Sequence, residues 1–461
     1  MRRKPIYAVV ALAVLAAGCS SNPGADLKRT VTKTAMTELK QEMPGEMVIS
    51  SDNKRLAYTI TEGDKQQIVV DGKIDSRKYS QIQLLMFSPN GKHLMYGVEK
   101  DKKWGVVLNG KESKLYDSVA GLVCTDGTQV FIAEKNKKES MVVNGKEGEF
   151  FANVLAPIFS PDTKRLSYLA DVGEKKCAVV DGKKTAVFTD IGAPVYSPDS
   201  KHVAYRVQDG EKSYIVHDGV KGKVYGLVND PVFSQDSKHI AYSAVKGAEE
   251  VVVVDGKESE PHPTIDKDSI RLSGDGSRVA FVIVKDKKKS VVVDGQVSAQ
   301  AYEDIDPASL TFSPDDSRLV YTAAATRQHA SGKKITEWFL VEGDKEGKRF
   351  DKIAAIAFSP DGQHLAYTAE TEKKMVAVAD DVLGPKVDIV KAPLFSSAGQ
   401  LALSLKKGEK CMVSVDQSKH NAYLDVWPLV FSPEGKHSAY VATSVDSKGK
   451  AGRLVVVDGN E

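Results

Sequence analysis

Tryptophan and cysteine are scarce in this chain of 461 residues, which has three of one and four of the other. No two cysteines stand at C-x-x-C spacing, so zinc ribbons and thioredoxin-like redox chemistry are excluded. With so few Trp, a stacking surface for glycans is not expected either. Charge of one sign is missing as well: 64 Lys and Arg face 62 Asp and Glu, too even a balance for the electrostatic footprint of a nucleic-acid binder. There is no Gly-x-Ser-x-Gly nucleophile elbow. The run from Gly105 to Glu112 (GVVLNGKE) imitates a P-loop but lacks Ser or Thr after Lys111 and leads into a strand rather than a helix. One long apolar run exists, from Ile6 to Ala17 behind Arg2, Arg3 and Lys4. It is too short for a committed membrane span and has the form of an export signal.

That run ends in Ala16-Ala17-Gly18-Cys19, which resembles a bacterial lipobox, departing from it at Ala16, where the family usually has Leu. The resemblance implies a signal peptide over residues 1–18, lipidation of Cys19, and a tether over 19–46 that begins with Ser20, Ser21, Asn22, Pro23 and Gly24. By the same resemblance, Ser20 directs the lipoprotein to the outer membrane, facing the periplasm. Removing residues 1–18 leaves 61 basic against 62 acidic residues, close to neutral. The remaining thiols, Cys124, Cys177 and Cys411, are expected as small buried hydrophobes within strands.

What the chain has in abundance is one pattern. FSPDGQHLAY at Phe358 returns in eleven variants, with leading hydrophobes at Ile49, Phe87, Val123, Phe159, Tyr196, Phe233, Leu272, Phe312, Phe358, Phe395 and Phe431, 36 to 46 residues apart. Such a period is that of a four-strand unit. A second landmark is a β-branched run ending in Asp-Gly or Asn-Gly, as in IVVDGK at Ile68 and VVLNGK at Val106, the strongest short hairpin signal. A third is an aromatic followed by alternating apolar residues, such as Tyr79 to Ile82 or Tyr225 to Val228, which predicts a short outer strand. Each unit therefore reads as strand A into Phe-Ser-Pro, strand B through Leu-Ala-Tyr, a charged hairpin tip, strand C through Val-Val-Val, and strand D. This is a β-propeller blade. A residue type found in every blade serves every blade alike, so FSPDG is scaffold rather than a catalytic motif.

The repeat resembles the PD40 type of WD40-like repeat found in the TolB propeller and in prolyl-oligopeptidase-like propellers, over residues 47–461. Eleven units exceed the four to eight of one ring, so two tandem propellers are expected, the alternative being one large ring. The irregular stretch from Glu258 to Asp268 is the better place to divide them, and residues from Lys28 to Met47 are candidates for a ring-closing strand. No hydrolase domain of the kind that prolyl-oligopeptidase-like enzymes append to such a propeller is expected. The resulting expectation is a non-catalytic, lipid-anchored envelope scaffold that binds envelope proteins, with no cofactor, no metal and no nucleic acid. The alternative is an enzyme or small-ligand binder at a propeller channel mouth, built from residues that break the repeat, with His217 and His262 as candidates. His93, His202, His239, His364 and His437 share one repeated slot and so read as separate scaffold positions.

Overall fold

The computed structural model describes residues 45–328, 334–416, 418–445 and 451–461. The signal peptide, Cys19 and most of the tether lie outside the described residues, as do residues 28–44 of the segment considered for ring closure. Among the described residues the regular secondary structure is all strand apart from one 3-10 turn at Pro307–Ser309, and the strands form eleven antiparallel sheets.

The second sheet illustrates how the sequence builds each one. Gln81–Phe87 pairs with Leu94–Lys100, which pairs with Lys103–Leu108, which pairs with the two-residue edge strand Lys111–Glu112. Both hairpins close through adjacent residues in the left-handed region, Asp101 and Lys102 at φ 52° and 60°, then Asn109 and Gly110 at φ 47° and 80°. Two consecutive positive φ values match the twist of the flanking strands, which is why Asp-Gly and Asn-Gly mark these places and why the charged tips are tight turns. The A to B turn is held by side chains: the Ser197 hydroxyl donates to Asp199 at 2.6 Å, while Asp199 accepts from the Lys201 amide at 3.0 Å and Ser197 accepts from the His202 amide at 3.0 Å. Ser88, Ser160, Ser197, Ser234, Ser273, Ser313 and Ser359 are all buried in this role.

The apolar faces are buried between consecutive sheets. Ala57 and Ile68 of the first sheet pack with Tyr79, Ile82, Leu85, Tyr96 and Val98, which belong to the second sheet or lead into it. Ala280, Val282 and Val291 of the seventh sheet pack with Ile305, Tyr321, Phe339 and Val341 of the eighth. Four-stranded meanders stacked face to face in chain order are the blades of a β-propeller. Cys124, Cys177 and Cys411 lie buried in strands, unpaired.

The third landmark is corrected by the structure. The edge strand follows the Asp-Gly turn directly, at Lys73–Ile74 or Val220–Lys221, and is only two residues long. The landmark aromatic instead makes a single bridge to strand C of the sheet it leaves, Gln66 to Tyr79 and Ser213 to Tyr225, while Ile82 and Val228 already belong to the next sheet. The Tyr225 ring is buried and its hydroxyl donates to Glu258 of the next sheet at 2.9 Å. The apolar alternation belongs to a crossing segment that serves two sheets.

The chain divides into two compact units, one ending at Pro194 and the other running from Val195 to Glu461. The stretch 258–268 lies inside the second unit. Met47–Ile49 pairs with Leu56–Glu62 of its own sheet.

Candidate functional site

The repeated polar residues are used up within the scaffold. In nine of the eleven sheets the slot before strand B holds Arg or His, and in most of these its partner is a carboxylate at the turn that ends strand C: Arg55 with Asp71 at 3.1 Å, Arg278 with Asp294 at 3.0 Å, His239 with Asp255 at 2.6 Å, His364 with Asp380 at 2.7 Å and His437 with Asp458 at 2.8 Å. An arginine in the slot also reaches the next sheet. Arg318 lies 5.1 Å over the Phe358 ring and donates to the Gly362 and Gln363 carbonyls, both at 3.0 Å. This staple between sheets was missed from the sequence, although the Arg and His alternation at one slot is visible there.

Departures from the repeat are therefore where function can reside. The position before the turn Asp or Asn is Val in Val70, Val143, Val180, Val254 and Val293, and His in His217. His217 pairs with Ala204 across the B to C hairpin, which brings its ring beside His202, the slot residue of the same sheet. The ring centroids are 5.8 Å apart, and His217 also meets Phe233 edge-on at 5.6 Å. Asp218 Oδ2 lies 2.6 Å from His202 Nδ1 and 3.6 Å from His217 Nε2. The second carboxylate oxygen accepts from the Val203 amide at 2.9 Å. The hydrogen bond from His202 helps hold the Asp218 carboxyl below the usual range, against the opposing effect of its burial. The five slot histidines do stand in separate sheets, and what the sequence did not show is that strand register sets a second imidazole, His217, against His202.

His262 has a different fate. It occupies the aromatic landmark position, bridges Glu250 as Tyr225 bridges Ser213, is buried, and meets Phe281 edge-on at 5.4 Å. Burial pushes its imidazole toward the neutral form, so it is a core ring rather than a site residue.

Two further departures, Arg206 and Arg271, line a cleft of about 470 Å³ with Lys267, Asp230 and Asp268. Arg206 is paired with Asp230 at 3.0 Å, and Arg271 donates to the Asp268, Ile270 and Pro307 carbonyls at 3.0, 2.9 and 3.2 Å. These cations serve internal crosslinks.

A groove of about 550 Å³ opens between the ninth and tenth sheets, lined mainly by Ala377, Val382, Leu383, Phe395, Leu403 and Met412. Its lip is the edge strand Val382–Leu383, with Val382 69% and Leu383 48% exposed. Five other sheets place Lys73, Lys111, Lys146, Lys183 and Lys257 where this one has Val382, and the fifth sheet has Val220 there, followed by Lys221 rather than a second apolar residue. Lysine on an edge strand blocks further pairing, and an apolar edge invites it.

No protein-family model matches the chain, and no curated protein sequence does. Among solved structures it is similar to a eukaryotic initiation factor, at 12% identity over 79% of this chain and 94% of the other, with a TM-score of 0.39. It is also similar to TolB from Acinetobacter baumannii, at 14% identity over 50% and 63%, with a TM-score of 0.25. The β-propeller domain of the Trilobed protease from Pyrococcus furiosus matches at 12% identity over 58% and 93%, with a TM-score of 0.28. The blade architecture stands on the sheets themselves.

Proposed function

We propose that this chain is a non-catalytic interaction scaffold of the bacterial cell envelope. It is anchored in the outer membrane by a lipid on Cys19, faces the periplasm, and is TolB-like in using a propeller to bind envelope proteins. The observation that carries this reading is the apolar groove with its unprotected edge at Val382–Leu383. An extended apolar segment of a partner would add to that edge through backbone hydrogen bonds and seat its side chains in the groove. The internal use of the repeated Ser, Asp, Arg, His and Tyr side chains supports the same reading, since it leaves them no catalytic work. Of the two residues on which an enzyme or small-ligand binder would rest, only His217 remains, because His262 is a core ring.

The test is affinity purification of a C-terminally tagged chain from crosslinked cells, beside Val382→Lys and Cys19→Ala. Val382→Lys installs the residue that other edges carry, so the sheet is expected to fold. Recovery of one abundant envelope protein with the unaltered chain, lost with Val382→Lys and reduced with Cys19→Ala, supports the proposal. Recovery of the chain alone, or of the same partner with all three forms, overturns it.

A further inference from the structure

We propose that His202, His217 and Asp218 bind one divalent transition-metal ion of the zinc class, a property separate from docking at the groove. Two imidazoles and a carboxylate form the mixed nitrogen and oxygen donor set such ions take, and three protein ligands leave a fourth position for water. The donor atoms His202 Nδ1, His217 Nε2 and Asp218 Oδ2 all lie within 4.8 Å of one another. Ligands about 2.0 to 2.2 Å from a tetrahedral ion stand about 3.3 Å apart. The 3.6 Å from His217 Nε2 to Asp218 Oδ2 is close to that spacing. The 2.6 Å from His202 Nδ1 to the same oxygen is a hydrogen bond, whose proton the ion would replace.

Three observations separate this group from the scaffold pairs it is built upon. First, His239, His364 and His437 form the same pair with a turn Asp, yet the residues at the place of His217 in their sheets are Val254, Ala379 and Val457, none able to ligate. Second, His217 Nε2 is buried and makes no hydrogen bond, so a polar atom faces the other two donors without a partner of its own. Leaving a buried nitrogen unpaired is unfavourable, and a metal bond would give it a partner. Third, the set is anchored on paired strands and lies near the surface. His217 lies in strand Lys212–His217, His202 adjoins Val203–Asp209, and the Val203 amide orients the carboxylate, as an outer-shell partner does in metal sites. Each of the three side chains is 41% exposed as a whole, so the group lies at the surface although His217 Nε2 itself is covered.

The repeat supplies a fold-compatible replacement for every ligand. His217→Val installs the residue of Val254, His202→Arg that of Arg278, and Asp218→Asn that of Asn109, each at the equivalent place of another sheet. The experiment uses the mature chain with Cys19→Ala, under reducing conditions, titrated with Zn²⁺ by calorimetry and with Co²⁺ by visible absorption. One equivalent is expected to bind, with intensified visible bands showing nitrogen and oxygen ligands and no thiolate charge transfer. Each replacement should weaken binding about tenfold or more while leaving the thermal midpoint of the metal-free chain close to that of the parent. No saturable binding by the parent would overturn the assignment. So would equal binding by His217→Val, since His217 is the residue that distinguishes this sheet. Should one replacement fail to fold, the other two decide, because each removes a different ligand.

Discussion

At the scale of the residue, the repeat depends on a few positions with strict demands. Gly276 sits in the turn of the seventh sheet at φ 70°, and a Cβ there would lie 2.2 Å from Cδ2 of His239 in the preceding sheet. Gly276→Ala therefore meets two penalties: about 1 to 2 kcal/mol for the left-handed backbone, and displacement of the ring. Urea denaturation of Gly276→Ala, alone and with His239→Ala, would separate them. The double variant is expected to lose less than the sum of the two single losses, and full additivity would show that ring and turn do not meet. The turn carboxylates set the response to acid. Asp199 is held down at about 2, chiefly by the Ser197 hydroxyl, and Asp275 at about 2, chiefly by the Ser277 amide. A carboxylate whose pKa is depressed on folding adds stability that is complete above its unfolded value near 4 and is lost as pH falls through its folded value. Thermal midpoints should thus hold steady from pH 7 to about 5 and fall between about pH 4 and 2, with Asp199→Asn flattening part of that fall. A midpoint that dropped near pH 6 would place the controlling groups among the histidines instead.

At the scale of the element, the hairpins were legible and the crossing segments were not. A turn with two positive φ values restricts residue type, so Asp-Gly and Asn-Gly announce it wherever they follow a β-branched run. Tyr225 to Val228 shows the opposite case. Its alternation is real, but the pattern does not say which sheet each side chain serves, and the structure gives Tyr225 to one sheet's strand C and Val228 to the next sheet. The His cluster was half legible. His217 stands out as a departure from Val, but its meeting with His202 depends on the register that pairs it with Ala204. The crossing Tyr also gives a quantitative expectation. Glu258 accepts from Lys223, Lys246 and Tyr225 at 2.5, 2.8 and 2.9 Å. Tyr225→Phe removes one hydrogen bond and should cost about 1 kcal/mol, whereas Tyr225→Ala also opens a cavity between sheets and should cost about 3 to 5 kcal/mol. Chemical denaturation of both variants measures the gap, and equal losses would mean that the ring contributes little packing.

At the scale of the molecule, stacked sheets that each pack on their neighbours need not be equally firm along the chain. The cluster between the seventh and eighth sheets holds eleven buried residues, while the one around Ala377, Val387 and Val390 beside the groove holds three. Where stability is a sum of nearest-neighbour terms, opening starts at the weakest one. Amides of Leu401–Lys407 should exchange faster than those of Val279–Lys285, and an occupant of the groove should slow them. This unevenness was not legible in advance, because it depends on how much volume two facing sheets leave between them.

The three lone thiols give the molecule a set of built-in clocks. Cys124 and Cys177 are sealed in two different sheet stacks of the first unit and Cys411 in a stack of the second. Burial pushes the Cys124 thiol up to about 11 and raises that of Cys177, so neither reacts until its stack parts. The rate at which a maleimide captures each sulfur therefore times the parting of that one stack, and the native chain reports the order in which its blades come apart without any label being engineered into it.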